Sequence, residues 1–164
     1  MRYVFPALLV LAAAAAPGCA TSPTLTQQER LELYRQHAAA PVLSFRLDRI
    51  VGTHNWTPLG DQALVVWSSA NRGHLIEMRT RCSGMAMASN IAITNRSGQV
   101  TARMDSVVPR TATGLVPVGS GTCRIDTIRP LDGQAIRDAK RELREATYIE
   151  QSEAPPPADN PGGT

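Results

Sequence analysis

Three cysteines, Cys19, Cys82 and Cys123, constrain this chain more than any other residue type. Cys82 and Cys123 stand 41 residues apart, and the histidine nearest to either, His74, is eight residues from Cys82. There is no Cys-x-x-Cys spacing, so a redox-active or metal-holding pair has weak support. A structural bridge fits better wherever the surroundings are oxidising. Closing a loop of that length is worth about 4 kcal/mol through entropy removed from the unfolded chain. The third cysteine bears on whether the surroundings are oxidising.

Met1-Arg2 supplies a short positive start, followed by an apolar run from Val4 to Ala16 broken only by Pro6. Thirteen residues are too few for a bilayer span, which needs roughly 20, but they suit the apolar core of a secretory signal. The run ends in Ala16-Pro17-Gly18-Cys19, small residues before a cysteine, as in a bacterial lipobox. A narrow peptidase groove requires such side chains beside the scissile bond, and the thiol of Cys19 would carry the lipid. A plain signal cleaved elsewhere and an uncleaved anchor are the alternatives. Ala20 follows where an Asp would resemble an inner-membrane retention signal, which points to the outer membrane. Three acyl chains, palmitate among them, would make the anchoring permanent at about 0.8 kcal/mol per buried methylene. With Cys19 lipidated, the remaining pair is even, and periplasmic surroundings favour its oxidation.

Thr26-x-x-Glu29 is a capping box opening a helix from Gln27 to about Ala39, ended by Pro41. Its apolar content is thin (Leu31, Leu33, Tyr34), which predicts loose packing. Leu43, Phe45 and Leu47 alternate with polar residues as one face of a strand. Gly52 to Asp61 reads as turn-rich, with Trp56 a lid on the core or part of a recognition surface beside His54. Ala63–Ser68 is a continuous apolar run and His74–Arg79 its hairpin partner across Asn71-Arg72-Gly73. Trp67 reads as core. Ser83–Asn90 suggests one or two helical turns. Ile91–Thr94 and Gln99–Val107 flank Asn95–Gly98 as a second hairpin, and Pro109–Gly121 is a loop. Thr122–Arg129 is the last strand, with Cys123, Ile125 and Thr127 on one face. Pro130-Leu131-Asp132 starts the strongest helix, capped by Asp132, with Leu131, Ala135, Ile136, Ala139, Leu143 and Ala146 as its apolar stripe.

The chemistry is sparse. No zinc spacing joins His37, His54 and His74, which read as scattered surface or edge residues. There is no Gly-x-Ser-x-Gly elbow and no phosphate-cradling glycine loop. Asp48, Asp61, Asp105, Asp126 and Asp132 fall on or beside strands, where a facing pair would serve as general acid and base. Sixteen of the 17 basic residues are Arg, and without Arg2 the balance is 16 basic against 14 acidic side chains. With no long block of one sign and 4% aromatic residues, a nucleic-acid footprint is excluded.

The order of features resembles a family of small proteobacterial lipoproteins that are known as a domain of unknown function. The residues concerned are Phe45-Arg-Leu-Asp-Arg49, Trp56-Thr-Pro-Leu-Gly-Asp61, Ala63-Leu-Val-Val-Trp67, Asn71 with His74, Leu75 and Ile76, and Cys82. Val100–Asp105, Cys123-Arg-Ile125 and Ile128–Asp132 continue the pattern, so it covers about 43–145. Thr53-His54-Asn55 looks like an insertion, and His74 stands where an aromatic is more usual. The resemblance implies the lipid anchor and the bridge and brings no catalytic residues.

The expectation is an α+β fold: a mostly antiparallel sheet with an N-terminal helix, a C-terminal amphipathic helix and one disulfide between Cys82 and Cys123. Residues 1–18 are read as a lipoprotein signal peptide, 19–41 as lipidated tether and N-terminal helix, 42–149 as the folded domain and 150–164 as a Pro/Gly-rich disordered tail. The expected role is a binding or envelope-associated module without catalytic activity, on the periplasmic side of the outer membrane. An envelope hydrolase using carboxylates or a histidine is the alternative, and a structural subunit of an envelope assembly a third. No cofactor or metal is expected. The expected partners are the membrane, through Cys19, and an envelope protein, with Trp56 and His54 as the candidate binding surface; ligand and oligomeric state are left open.

Overall fold

The computed structural model describes residues 25–47, 55–112 and 121–153. The leader over 1–18, Cys19, His54, Asp48 and the tail from 154 lie outside them. Helix α1 (Gln27–Gln36) opens on the expected capping box: the Thr26 hydroxyl accepts from Glu29 N at 3.2 Å, and the Glu29 carboxylate accepts from Thr26 N at 2.8 Å. It ends three residues before the expected Ala39, because the backbone there pairs with a strand instead: Ala39 N donates to Pro130 O at 2.9 Å.

Eight strands follow: β1 (Ser44–Arg46), β2 (Trp56–Pro58), β3 (Ala63–Trp67), β4 (Arg72–Met78), β5 (Asn90–Ile93), β6 (Gln99–Thr101), β7 (Ser106–Arg110) and β8 (Cys123–Asp132). A single 3₁₀ turn at Met85–Met87 precedes β5, and helix α2 (Gly133–Glu153) closes the fold. Six strands make an antiparallel sheet in the order β2-β3-β4-β8-β7-β5, and β1 pairs with β6 as a separate ribbon. The α+β architecture, the two helices and the disulfide are as the sequence predicts.

The sheet has two apolar faces. One carries Leu64, Val66, Ile76, Ile125 and Ile128 and is covered by Phe45 and Val100 of the ribbon, by Met85 and by the disulfide. The other carries Ala63, Val65, Leu75 and Leu131 and is covered by Leu31 and Tyr34 of α1 and by Ile136 of α2. Burial on both faces explains why β3 is a continuous apolar run. Helix α1, expected to pack loosely, is part of this core. Its few apolar residues are all buried, and Arg35 holds Glu77 of β4 at 2.7 and 3.0 Å while Thr127 donates to the other carboxylate oxygen.

Several expectations fail for identifiable reasons. The second hairpin does not form, since β5 pairs with β7 and β6 with β1. The expected strand over Gln99–Val107 is broken by a turn at 101–105. There Arg103 is left-handed (φ 65°), and the Asp105 carboxylate takes bonds from Thr101 N and the Thr94 hydroxyl. Leu43 is 83% exposed although Phe45 is buried. The chain bends at Leu43, between the bridge of Val42 to Ile128 and the start of β1, and that breaks the alternation. Thr127 does not share a face with Cys123 and Ile125, because a bulge at the β4–β8 pairing leaves Asp126 without an opposite residue and inverts the side-chain parity. Residues 56–58, expected in a turn, form an edge strand that tolerates Pro58.

Strand β8 runs on to Asp132, so Pro130 and Leu131 are strand rather than helix. Pro130 is admissible because its carbonyl, and hence its imide nitrogen, faces Ala39 and not β4; the ladder to β4 loses nothing. Asp132 caps α2 as expected, accepting from Gln134 N at 2.8 Å and Ala135 N at 3.3 Å. The first turns of α2 pack on the sheet. Ile136 is buried, whereas Leu143 is 42% exposed, so the expected stripe is core at one end alone. The helix continues through 150–153, part of the expected tail, because the sequence has no helix breaker before Pro155.

Candidate functional site

Side chains at Arg72 and His74 are two apart on β4 and point to the same face of the sheet. Opposite them on β8 are Asp132 and Pro130. The β1–β6 ribbon lies over this face, and its Phe45 ring stacks on the His74 imidazole at 4.2 Å and 21°. Past this stack the described residues leave the sheet uncovered, and a cleft of about 730 Å³ opens. Its walls are His37 and Ala39 after α1, Arg46 of β1, Ser68 and Asn71 of the β3–β4 turn, and the Arg72–His74 and Pro130–Asp132 strand ends.

The turn forming one wall is pinned in place. Ser68 N and Ser69 N both donate to Arg72 O, and the Ser69 hydroxyl accepts from Arg72 N at 3.2 Å. From α2, Arg137 donates to Ala70 O at 2.6 Å and to the Asn71 side chain, while Gly133 N donates to Asn71 O. A rigid rim on strand ends is a suitable mount for a binding site.

The charges in the cleft do not cancel. Asp132 lies directly across from Arg72 but makes no ion pair with it, its carboxylate being turned to the first amides of α2. The guanidinium groups of Arg46 and Arg72 make no hydrogen bond or ion pair among the described residues. Burial pushes the His74 imidazole below its ordinary value of 6.5, so it is neutral at pH 7, and its Nδ1 is buried without a hydrogen-bond partner. The cleft is thus lined by two free cations, two imidazoles and one carboxylate already engaged as a helix cap.

A smaller cleft of about 360 Å³ lies on the other side of the same turn, which gives it Ser69 and Ala70. Tyr34, Trp67, Ile136 and Lys140 line it, and Lys140 Nζ donates to the Tyr34 hydroxyl at 2.9 Å. Arg137 lines it too, so both of its cations are already engaged.

The residues singled out from the sequence fall elsewhere. Cys82 and Cys123 are bonded to each other inside the core, with Cα atoms 5.5 Å apart. Trp56 is half-buried in β2 against the same core and does not line the larger cleft. His54 and Cys19 are outside the described residues. Two of the three histidines, read as scattered, meet in the larger cleft. Of the carboxylates weighed as an acid–base pair, Asp105 is held by Thr94 and Thr101, Asp126 lies 3.9 Å from Arg103, and Asp132 caps α2. Among the described residues no group of three or more His, Cys, Asp or Glu is placed to hold a metal, and no helix is long and apolar enough to cross a membrane. The sequence offers no signal for Arg46 and Arg72: Arg46 alternates with the buried Phe45, and Arg72 shares the face of His74 and Ile76 at the end of β4.

No curated protein and no solved structure matches the chain. A family model matches residues 1–147, most of the length, and the chain belongs to that family, the family of unknown function DUF6491.

Proposed function

We propose that this chain is a lipid-anchored binding protein, held through Cys19 on the periplasmic side of the outer membrane and without catalytic activity of its own. The lipobox-like Ala16–Cys19 segment, the residue Ala20 after it and the resemblance to small proteobacterial lipoproteins support the location. The Cys82–Cys123 disulfide is consistent with it, since such bonds persist in oxidising compartments. The observation that carries the binding role is the larger cleft, where two guanidinium groups stand unengaged on a rigid rim while the nearest carboxylate is committed to a helix cap. Preformed clefts with a few convergent polar groups are what small-ligand sites look like.

Radiolabelled palmitate should enter the wild-type chain in cells and not a Cys19→Ala variant; equal labelling of the two refutes the anchor. Crosslinking in intact cells from a photoreactive residue at Asn71, on the cleft rim, should capture an envelope component, and capture equal to that from a residue on the far face at Arg141 refutes the cleft as the contact.

A further inference from the structure

We propose that the larger cleft is a binding site for a phosphate ester, with Arg46 and Arg72 as the residues that hold its oxygens. This rests on the binding reading above and names the ligand class for the same site.

The argument starts from what the cleft offers. Arg46 and Arg72 come from strands of two different sheets and both line one cavity, so two cationic side chains of separate elements converge on it. Guanidinium forks match the paired oxygens of an oxyanion and hold their charge at any physiological pH. Their natural internal partner, the carboxylate of Asp132 opposite Arg72, is withdrawn by the amides of α2. Free cations gathered in a concave site, with the local carboxylate turned away, leave an anion as the complementary occupant.

A phosphate suits this donor set better than a carboxylate. Two guanidinium groups offer more N–H donors than the two oxygens of one carboxylate can take, and a tetrahedral phosphoryl group presents three oxygens. His37 lines the same cleft and adds a further donor. About 730 Å³ is far more than inorganic phosphate fills, so the site has room for the alcohol part of an ester. The same phosphate chemistry comes from a soluble metabolite-sized ester or from a lipid headgroup.

The test is calorimetric titration of the full chain in detergent at fixed ionic strength with two probes, glycerol 3-phosphate and dihexanoyl phosphatidic acid. Saturable binding is expected for at least one, weakened about tenfold by R46Q and by R72Q and abolished by the double variant. R141Q, on the exposed part of α2, should bind as the wild type does. Tighter binding of the phosphatidic acid identifies a lipid headgroup, and equal binding a soluble ester; either supports the site. Circular dichroism melts of the variants establish that they are folded. Absence of saturable binding to both probes, or binding unchanged in a folded double variant, overturns the proposal. Arginine-dependent binding of citrate or acetate in place of both probes overturns the phosphate assignment and leaves the binding role standing. The palmitate labelling reports on the anchor independently.

Discussion

Gly73 lies directly across from Trp67 on the β3–β4 hairpin, and the indole rests on it: a Cβ at Gly73 would stand 2.7 Å from Trp67 Cε3. The indole also donates from Nε1 to the Thr57 hydroxyl at 2.9 Å and meets the Tyr34 ring edge-on, with centroids 6.5 Å apart. One residue without a side chain therefore lets a large ring join β2, β3 and α1. Gly73→Ala should displace the ring and destabilise the fold by about 1–3 kcal/mol, the usual range for overpacking. A lowered melting temperature with an altered tryptophan emission spectrum is the expected result.

The bridge of Cys82 to Cys123 spans 41 residues of chain. Replacing both by Ala should lower the unfolding free energy by about 4 kcal/mol through the freed denatured chain. Urea denaturation of the two forms checks this. The native wild-type protein should also resist alkylation at both thiols until it is reduced.

Helix α2 packs on the body through its first turns. Ile136 is 2% exposed and belongs to the core between α1, α2 and the sheet. Ile136→Ala should destabilise by about 2–4 kcal/mol, whereas Leu143→Ala, two turns further along, should stay within about 0.5 kcal/mol. Similar losses for both in thermal melts would place the second half of the helix on the body as well.

Burial lowers the pKa of His74, so the folded protein binds the proton there less readily than the unfolded chain does. Its surroundings are the Phe45 ring stacked on it and the cleft groups Arg46, Arg72, His37 and Asp132. The contribution is fully present above the ordinary value of 6.5 and is lost as the pH falls from there toward the depressed value. His74→Phe keeps an aromatic ring against Phe45 and removes the titration. The fall in melting temperature between pH 7.5 and 5.5 should be larger for the wild type than for this variant.

The α+β class, the β3–β4 hairpin, the capping box of α1, the Asp132 cap of α2 and the pairing of Cys82 with Cys123 were all legible in the linear chain. Each depends on residues close together or on simple patterns: a period of two, an oxygen three residues before an amide, two thiols without a Cys-x-x-Cys spacing. Membership of a family of unknown function was legible as well.

What the tertiary structure alone decided was pairing over distance and the parity that follows from it. No local feature says that β6 will choose β1 over β5, or that an extra residue at Asp126 will turn Thr127 from the Cys123 face to the Glu77 face. The cleft belongs to this second group. Its residues come from positions 37 to 132 and have no common spacing. They meet beyond the stack of Phe45 on His74, where the described residues leave Arg72 and Asp132 uncovered at the end of the sheet. By itself the sequence determined the periodic elements and their caps, governed by near-neighbour geometry, and the pairing of Cys82 with Cys123. Which arginines stand free, and that they share one cavity, depended on which surfaces the chain buried and which it left open.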